Sequence, residues 1–205
     1  MKISIRTSRR IEDARNILVR GTNWIGDVIM TLPAMAAIRR AFPGARISVL
    51  AKPWVADIFS LCSDVDEVIL YRSPGVHAGV GGILRLAGEL REKKFDAAIL
   101  LQNAIEAAII SFLAGIPVRA GYNSDGRGPL LTHSVKRTRA VRRIHQVDYY
   151  LEMVKTLGCV DGSRELHLTL TRADQNRTDE ILRSYGIDPD AFLVGIAPGA
   201  TFGAA

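Results

Sequence analysis

Hydrophobic residues follow two alternating patterns along the chain, and together these patterns predict a regular succession of strands and helices. Short apolar runs are typical of buried strands, and they occur at 17–19, Arg46–Ala51, 68–71, 96–101 and Val118–Tyr122. Apolar residues at helical spacing occupy the segments between them, at 28–38, 53–62, 83–94 and 104–114. The repeated β-α order predicts an α/β fold with a Rossmann-like, doubly wound parallel sheet. Strand 96–101 is expected at its centre because it is apolar beyond its first residue.

Local signals predict the remaining elements. The glycine-rich segment 73–82 is expected to form a mobile loop. Periodicity and end signals predict a helix at 146–157 between His145 and Gly158, a strand or extended linker at 166–170, a polar surface helix at 172–185 and a strand at 191–196.

These elements predict a division of the chain into four parts. They are a poorly ordered basic extension at 1–16, a Rossmann-like domain at 17–160, a linker with a surface helix at 161–190 and the start of a second domain at 191–205. A strand that runs into a glycine-containing turn normally opens another α/β unit. We therefore expect the chain to be a fragment that stops just inside a second Rossmann-like domain.

Composition and charge narrow the class of protein. The 205 residues are 48% hydrophobic and carry a formal net charge of +6, which favours anionic partners without choosing among them. The segment from Gly126 to Val147 contains six Lys or Arg residues and no acid. Cys62 and Cys159 are expected to be buried, reduced thiols, since neither has metal-ligand spacing. No apolar run has the length of a membrane span or of a secretory signal, so a cytoplasmic protein is predicted.

One acidic residue stands where the first predicted helix begins. Asp27 follows the turn from Gly21 to Gly26, and an Asp side chain at that position can cap the free N–H groups of the helix. The alternative is a general base, aimed at the carboxyl ends of the strands, where folds of this kind bind substrates. The two glycines have the spacing of a phosphate-binding loop, but Asp27–Val28 replaces the Lys-Ser/Thr pair, so a nucleotide triphosphatase is not expected.

Four motifs carry a resemblance to a known family. They are NWIGDVIMTLPAMAAIRRAFPGARISVLAKPW at 23–54, LAGIPVRAGY at 113–122, HQVDYYLEMVKTLG at 145–158 and GIAPGATFG at 195–203. Together they resemble the ADP-heptose:lipopolysaccharide heptosyltransferases of glycosyltransferase family 9, in particular the heptosyltransferase II branch. The resemblance implies the N-terminal half of a GT-B enzyme, in which one Rossmann-like domain binds the acceptor and the other binds the sugar-nucleotide donor. It also implies an inverting, metal-independent reaction without a cofactor.

The resemblance assigns roles to individual residues. Asp27 becomes the general base that removes the proton of the acceptor hydroxyl. The implied acceptor contacts are Asn23, Trp24, Gly26, Asn103, Arg119 and Arg127. The two arginines are candidates for holding acceptor carboxylates or phosphates, since guanidinium pairs with both in bidentate fashion. Thr201 is expected near the donor phosphates, and the lysine of that motif would lie just beyond Ala205. The 205-residue chain alone is therefore expected to be inactive.

The implied substrates are ADP-heptose as donor and Kdo-lipid A or the heptosylated lipopolysaccharide core as acceptor. Peripheral contact with the anionic inner leaflet is a further expectation, while nucleic acid is not expected as a partner. Two alternatives stay open at this point. One is another GT-B sugar-nucleotide enzyme, which would lack the Asn23–Asp27 motif. The other is a non-catalytic Rossmann-like module that binds anions or nucleic acid through the basic segment.

Overall fold

A six-stranded parallel sheet is the central feature of the computed structural model, which describes residues 11–159 and 163–196. Its strands are β1 (Asn16–Arg20), β2 (Arg46–Ala51), β3 (Glu67–Leu70), β4 (Ala97–Leu100), β5 (Val118–Tyr122) and β6 (His133–Val135). They lie in the order β3-β2-β1-β4-β5-β6, and every neighbouring pair is parallel. β4 is central, as predicted. The chain order reverses between β1 and β4, and folds of this kind bind ligands outside the carboxyl ends of the strands there.

Helices cover both faces of the sheet. They are α1 (Ile25–Ala41), α2 (Pro53–Ser60), α3 (Gly79–Glu92), α4 (Ile105–Leu113), α5 (Gln146–Lys155) and α6 (Arg172–Ser184), with short 3₁₀ helices at Ile11–Asp13 and Gly128–Leu130. Ile17 and Val19 of β1 enter one apolar layer with α1, α2 and α5, whereas Leu18 enters the opposite layer with α3 and α4. Successive side chains of a strand point to opposite faces, so β1 is buried on both sides. The predicted doubly wound α/β fold is confirmed.

The packing of α1 positions the first turn of that helix at the carboxyl edge of the sheet. Val28, Leu32 and Met35 are buried at helical spacing, and α1 packs against α5. Both helices follow parallel strands, so each begins at the same edge of the sheet.

The structure departs from the expected elements in three places. The loop 73–82 is shorter than predicted, because α3 begins at Gly79. His77 ties this loop to Arg72, two residues after β3: its backbone N–H donates to the Arg72 carbonyl at 2.9 Å, and its Nδ1 accepts from the Arg72 backbone N–H at 3.1 Å. β6 was not predicted, since three residues of mixed polarity at a sheet edge carry no apolar pattern. Residues 191–196 form no strand; Phe192, Val194 and Ile196 are exposed, and no described strand lies beside them.

Residues 166–170 have no regular secondary structure, so of the two expectations for them the strand is wrong and the extended linker stays a prediction. The chain divides into two units, the first ending at Thr169 and the second comprising the residues from Leu170 onward. Within the second unit, α6 begins with a capping box between Thr171 and Asp174 and has no buried residue. A second Rossmann-like domain from residue 191 onward stays a prediction.

Several smaller expectations can be compared with the structure. Part of the predicted N-terminal extension belongs to the fold, because Ile11 and Ala14 are buried in the core. Cys62 and Cys159 are free and buried, as predicted, and burial raises the pKa of both thiols. Within 11–159 and 163–196, no helix has both the length and the apolar character that crossing a bilayer requires.

Gly82 of α3 provides a test of the packing around His77. A Cβ atom built on Gly82 would lie 2.1 Å from the backbone carbon of His77, whereas one on Gly88 of the same helix meets nothing within 4 Å. We expect Gly82→Ala to lower the free energy of unfolding by about 1–3 kcal/mol. Gly88→Ala, the matched control, should raise it by about 0.5–1 kcal/mol through helix propensity. Urea denaturation of both variants checks this, and equal effects would contradict the packing described.

Candidate functional site

Asp27 lies in the first turn of α1, as its third residue, at the carboxyl edge of the sheet. The helix is capped from Trp24, whose backbone is extended and whose side chain makes no capping hydrogen bond. The hypothesis that Asp27 caps the helix is therefore wrong, because the helix begins two residues before it. Among the described residues, none donates a hydrogen bond or forms an ion pair with the Asp27 carboxylate.

The electrostatic surroundings of Asp27 suit a proton acceptor. The side chain is half-buried, and burial raises the pKa of its carboxyl. This effect opposes the stabilisation that a helix N-terminus gives to a negative charge. Tyr150 of α5 is close enough to sense the charge: burial raises the pKa of Tyr150, and the carboxylate of Asp27 raises it further. An unpaired carboxylate with a raised pKa is a stronger base than an ordinary aspartate.

The loop between β1 and α1 is held from two sides. Arg20, at the end of β1, donates from Nη2 to Oδ1 of Asn23 at 2.9 Å and from Nη1 to the carbonyl of Gly21. Trp54 of α2 donates from Nε1 to the backbone carbonyl of Asn23 at 2.7 Å. The Asn23 amide oxygen is therefore engaged inside the protein, although the sequence motif implied an acceptor contact for this residue.

Trp24 and Gly26 border Asp27 on the exposed side of this loop. The indole of Trp24 is 52% exposed, and a Cβ atom on Gly26 would meet nothing within 4 Å. Among the described residues, the space beside Gly26 is therefore open, and acceptor contacts of Trp24 and Gly26 stay predictions.

Arg127 is buried, in contrast to the expectation that it grips an external anion. Its exposed fraction is 0%. Nε donates to the carbonyl of Tyr122 at 2.7 Å, Nη1 to that of Gln102, and Nη2 to Oδ1 of Asn103 at 3.2 Å. Burial lowers the pKa of Arg127 to about 10, so it remains charged at neutral pH. Its guanidinium is thus committed to the ends of β4 and β5.

Asn103 continues the same network. Its amide donates to the hydroxyl of Tyr149 on α5 at 2.8 Å. Arg127 and Tyr149 thereby fix the orientation of Asn103 at the carboxyl edge.

Arg119 does not lie near Asp27 in the sheet. It is the second residue of β5, paired in register with Ala98, which is itself level with Leu18 of β1. Its guanidinium donates to the carbonyl of Leu130 at 2.7 Å and to the carbonyl of Ile116 at 2.5 Å. Arg119 as a whole is only 9% exposed. The expectation that Arg119 holds an acceptor anion is wrong, because the side chain is used to fasten the loop before β6.

A cluster of charged and aromatic groups at the ends of β1, β2 and β3 was missed from the sequence. Lys52 Nζ lies 3.7 Å from the ring centroid of Tyr71, and the guanidinium carbon of Arg20 lies 5.3 Å from it. Burial lowers the pKa of Lys52, and the charge of Arg20 lowers it further. Burial and a hydrogen bond with Glu106 raise the pKa of Tyr71 to about 12. The sequence does carry a signal for this cluster: a basic residue directly follows each of two apolar runs, Arg20 after 17–19 and Lys52 after Arg46–Ala51.

Among residues 11–159 and 163–196, no three His, Cys, Asp or Glu side chains are grouped as a metal ion requires. Thr201 lies outside the described residues.

Comparison with known proteins places this fold in a family. The model of glycosyltransferase family 9 (heptosyltransferase) matches residues 83–205, more than half of the chain. Lipopolysaccharide heptosyltransferase 2 of Salmonella typhimurium is 28% identical over 193 residues, which cover 92% of this chain and 55% of that protein. The chain spans about half the length of the curated relatives it matches.

Two solved structures share the fold. A family 9 glycosyl transferase from Veillonella parvula matches 92% of this chain and 55% of its own, with a TM-score of 0.80 and 22% identity. ADP-heptose lps heptosyltransferase II of Escherichia coli matches 92% and 56%, with a TM-score of 0.74 and 25% identity. The chain thus has the Rossmann-like α/β fold of this class, and it belongs to glycosyltransferase family 9, the heptosyltransferase family.

Arg127 provides a test of the network at the ends of β4 and β5. We expect Arg127→Ala to lower the free energy of unfolding of the 205-residue chain by about 2–4 kcal/mol, because it leaves buried carbonyls unpaired and opens a cavity. Arg85→Ala, on an exposed position of α3, should change it by less than about 0.5 kcal/mol. Chemical denaturation measures both, and an Arg127→Ala variant as stable as the Arg85 control would refute the bracing role.

Proposed function

We propose that this chain is the acceptor-binding half of an enzyme that transfers heptose from ADP-heptose to the inner core of lipopolysaccharide, with Asp27 as general base. The observation that supports this most is the half-buried carboxylate of Asp27, which has no hydrogen-bond or ion-pair partner among the described residues and lies at the carboxyl edge of the sheet, after β1 at the topological switch point. Family membership supports the reaction class, and the printed name of the Escherichia coli relative supports the donor.

The proposed reaction is an inverting displacement without a metal ion. Asp27 accepts the proton of the acceptor hydroxyl while the oxygen of that hydroxyl forms a bond to the anomeric carbon of the heptose. The bond from that carbon to the diphosphate breaks, and its electron pair leaves with ADP. The raised pKa of Asp27 suits this step, since it increases the affinity of the carboxylate for the proton.

The acceptor is proposed to lie against the open side of the β1–α1 loop. There the exposed indole of Trp24 can stack on a sugar ring, and Gly26 leaves room for close approach. Asn103, oriented by Arg127 and Tyr149, is the second acceptor contact that we propose. The donor is assigned to residues near Thr201 and to a further domain like that of the relatives, so the 205-residue chain alone is proposed to be inactive.

A cytoplasmic location at the inner leaflet of the membrane fits this function. Kdo-lipid A and the heptosylated core are anchored in lipid, and the net charge of +6 favours their acidic groups. No cofactor is required beyond the sugar nucleotide, which is a substrate.

Substitution of Asp27 tests the general base in the extended protein, by which we mean this chain continued to the full length of its relatives. Asp27→Asn keeps the size and polarity of the side chain but cannot accept the proton. We expect kcat to fall by roughly 10²–10⁴, with the affinities for both substrates and the thermal unfolding temperature nearly unchanged.

The matched control is Asp57→Asn, the same chemical change at an exposed position of α2. It should leave kcat within about twofold of the unsubstituted protein, as expected of a surface change. Near-normal turnover by the Asp27→Asn variant would remove the base from the proposal.

A further inference from the structure

Trp54, the second residue of α2, directs its only polar group toward the loop that precedes α1. Its indole Nε1–H donates to the backbone carbonyl of Asn23 at 2.7 Å, which is at the short end of the usual range for N–H···O hydrogen bonds. The residue is nevertheless 54% exposed. An exposed indole can donate to water instead, so burial does not require this hydrogen bond. Its consequence therefore lies in the loop that receives it.

The first turn of α1 has little support from its own sequence. The N-cap residue Trp24 makes no side-chain capping hydrogen bond, and Gly26, the second residue of the helix, has a low helix propensity. Both residues are exposed, as is Ile25 between them. The turn is closed where Val28 N donates to the carbonyl of Trp24 at 2.9 Å. Because uncapped helix ends fray, the position of Asp27 depends on contacts from outside the helix.

Two side chains outside α1 supply such contacts, and both act on Asn23. Trp54 binds the backbone carbonyl of Asn23, and Arg20 donates from Nη2 to Oδ1 of its side chain at 2.9 Å. Asn23 directly precedes the N-cap residue and lies four residues before Asp27. The entrance to the helix is therefore held at its backbone and at its side chain. One direct hydrogen bond and four residues of chain connect Trp54 to the candidate base.

The start of α2 is a firm support for the Trp54 indole. Val55 and Phe59 of this helix are fully buried, and Pro53 restricts the backbone of its first residue. Phe59 also packs beneath the loop, because a Cβ atom on Gly21 would lie 2.7 Å from the phenyl ring. A group on a packed helix is placed more precisely than one on a loop. Trp54 can therefore transmit the order of α2 to the loop before α1.

We propose that Trp54 is a positioning residue for the reaction, whose indole N–H holds the Asn23 carbonyl and so places the Asp27 carboxylate against the acceptor hydroxyl. This inference rests on the proposed function. Displacement of a catalytic arrangement by about 1 Å can cost about 100-fold in rate, so the loss of one such contact is measurable. The other use of an exposed tryptophan at this edge is to stack on a sugar ring, and stacking depends on the ring and not on the N–H.

Two substitutions of Trp54 separate the hydrogen bond from the ring. Trp54→Phe removes the N–H and keeps an aromatic ring, whereas Trp54→Leu removes both. In the extended protein we expect kcat to fall by about 5- to 50-fold in both variants, with the KM for the acceptor within about twofold. The control is Phe112→Leu, which removes an exposed ring at the end of α4, at the opposite edge of the sheet. It should leave kcat within about twofold.

Hydrogen exchange of the 205-residue chain tests the hold on the loop without any reaction. We expect the Val28 amide, which closes the first turn of α1, to exchange at least about fivefold faster in the Trp54→Phe variant, because the turn opens more often. The Met35 amide, in the middle of the same helix, should exchange at its original rate. The midpoint of urea unfolding should change little.

Three results would overturn the inference. The first is a normal kcat in the Trp54→Phe variant. The second is a normal kcat in the Trp54→Leu variant with the acceptor KM raised about tenfold or more, which would identify the ring as a sugar contact. The third is equal loss of protection at Val28 and Met35, which would show a general loss of stability. All three leave the proposed function intact, whereas absence of transfer by the unsubstituted extended protein refutes the proposed function itself.

Discussion

Two buried guanidinium groups hold the carboxyl edge of the sheet together, and the arrangement of the candidate site depends on them. Arg20 fastens the loop after β1 through Gly21 and Asn23, and Arg127 fastens the ends of β4 and β5 through Gln102 and Tyr122. Pairing of its N–H groups stabilises a buried cation. Arg127 pairs all three guanidinium nitrogens, whereas Arg20 pairs Nη1 and Nη2 and its Nε has no partner among the described residues. Burial lowers the pKa of both side chains to about 10, so both remain charged and keep their hydrogen bonds at neutral pH.

The carboxylate of Asp27 stands outside this hydrogen-bond framework. It has no hydrogen-bond or ion-pair partner among the described residues, and burial raises its pKa. A cation beside it would lower that pKa and make the carboxylate a weaker base. The two buried guanidinium groups instead bond to backbone carbonyls and to Asn23 and Asn103.

The regular elements were predictable because burial on both faces leaves a clear apolar signal. β2 and β5 begin and end at the residues predicted for them. β6 was missed because an edge strand of three residues carries no apolar pattern. Asp27 was recognised from its position after an apolar run. The start of α1 at Ile25 was not, because Gly26 in the first turn is typical of a loop and not of a helix. Arg127 was misjudged for another reason. In a basic segment, nothing in the sequence distinguishes the one arginine that turns inward from those that stay exposed.

The central claim is that Asp27, which has no partner among the described residues, is a carboxylate whose pKa burial raises. Titration of this one group tests the claim most directly. Carbon-13 NMR of the 205-residue chain can follow the side-chain carboxyl carbon across the acid range, with Asp27→Asn used to assign the signal. The account predicts a midpoint above the ordinary aspartate value of about 3.9. A midpoint at or below about 3.9 would contradict it, because it would show that a partner or the helix N-terminus stabilises the charged form more than burial destabilises it.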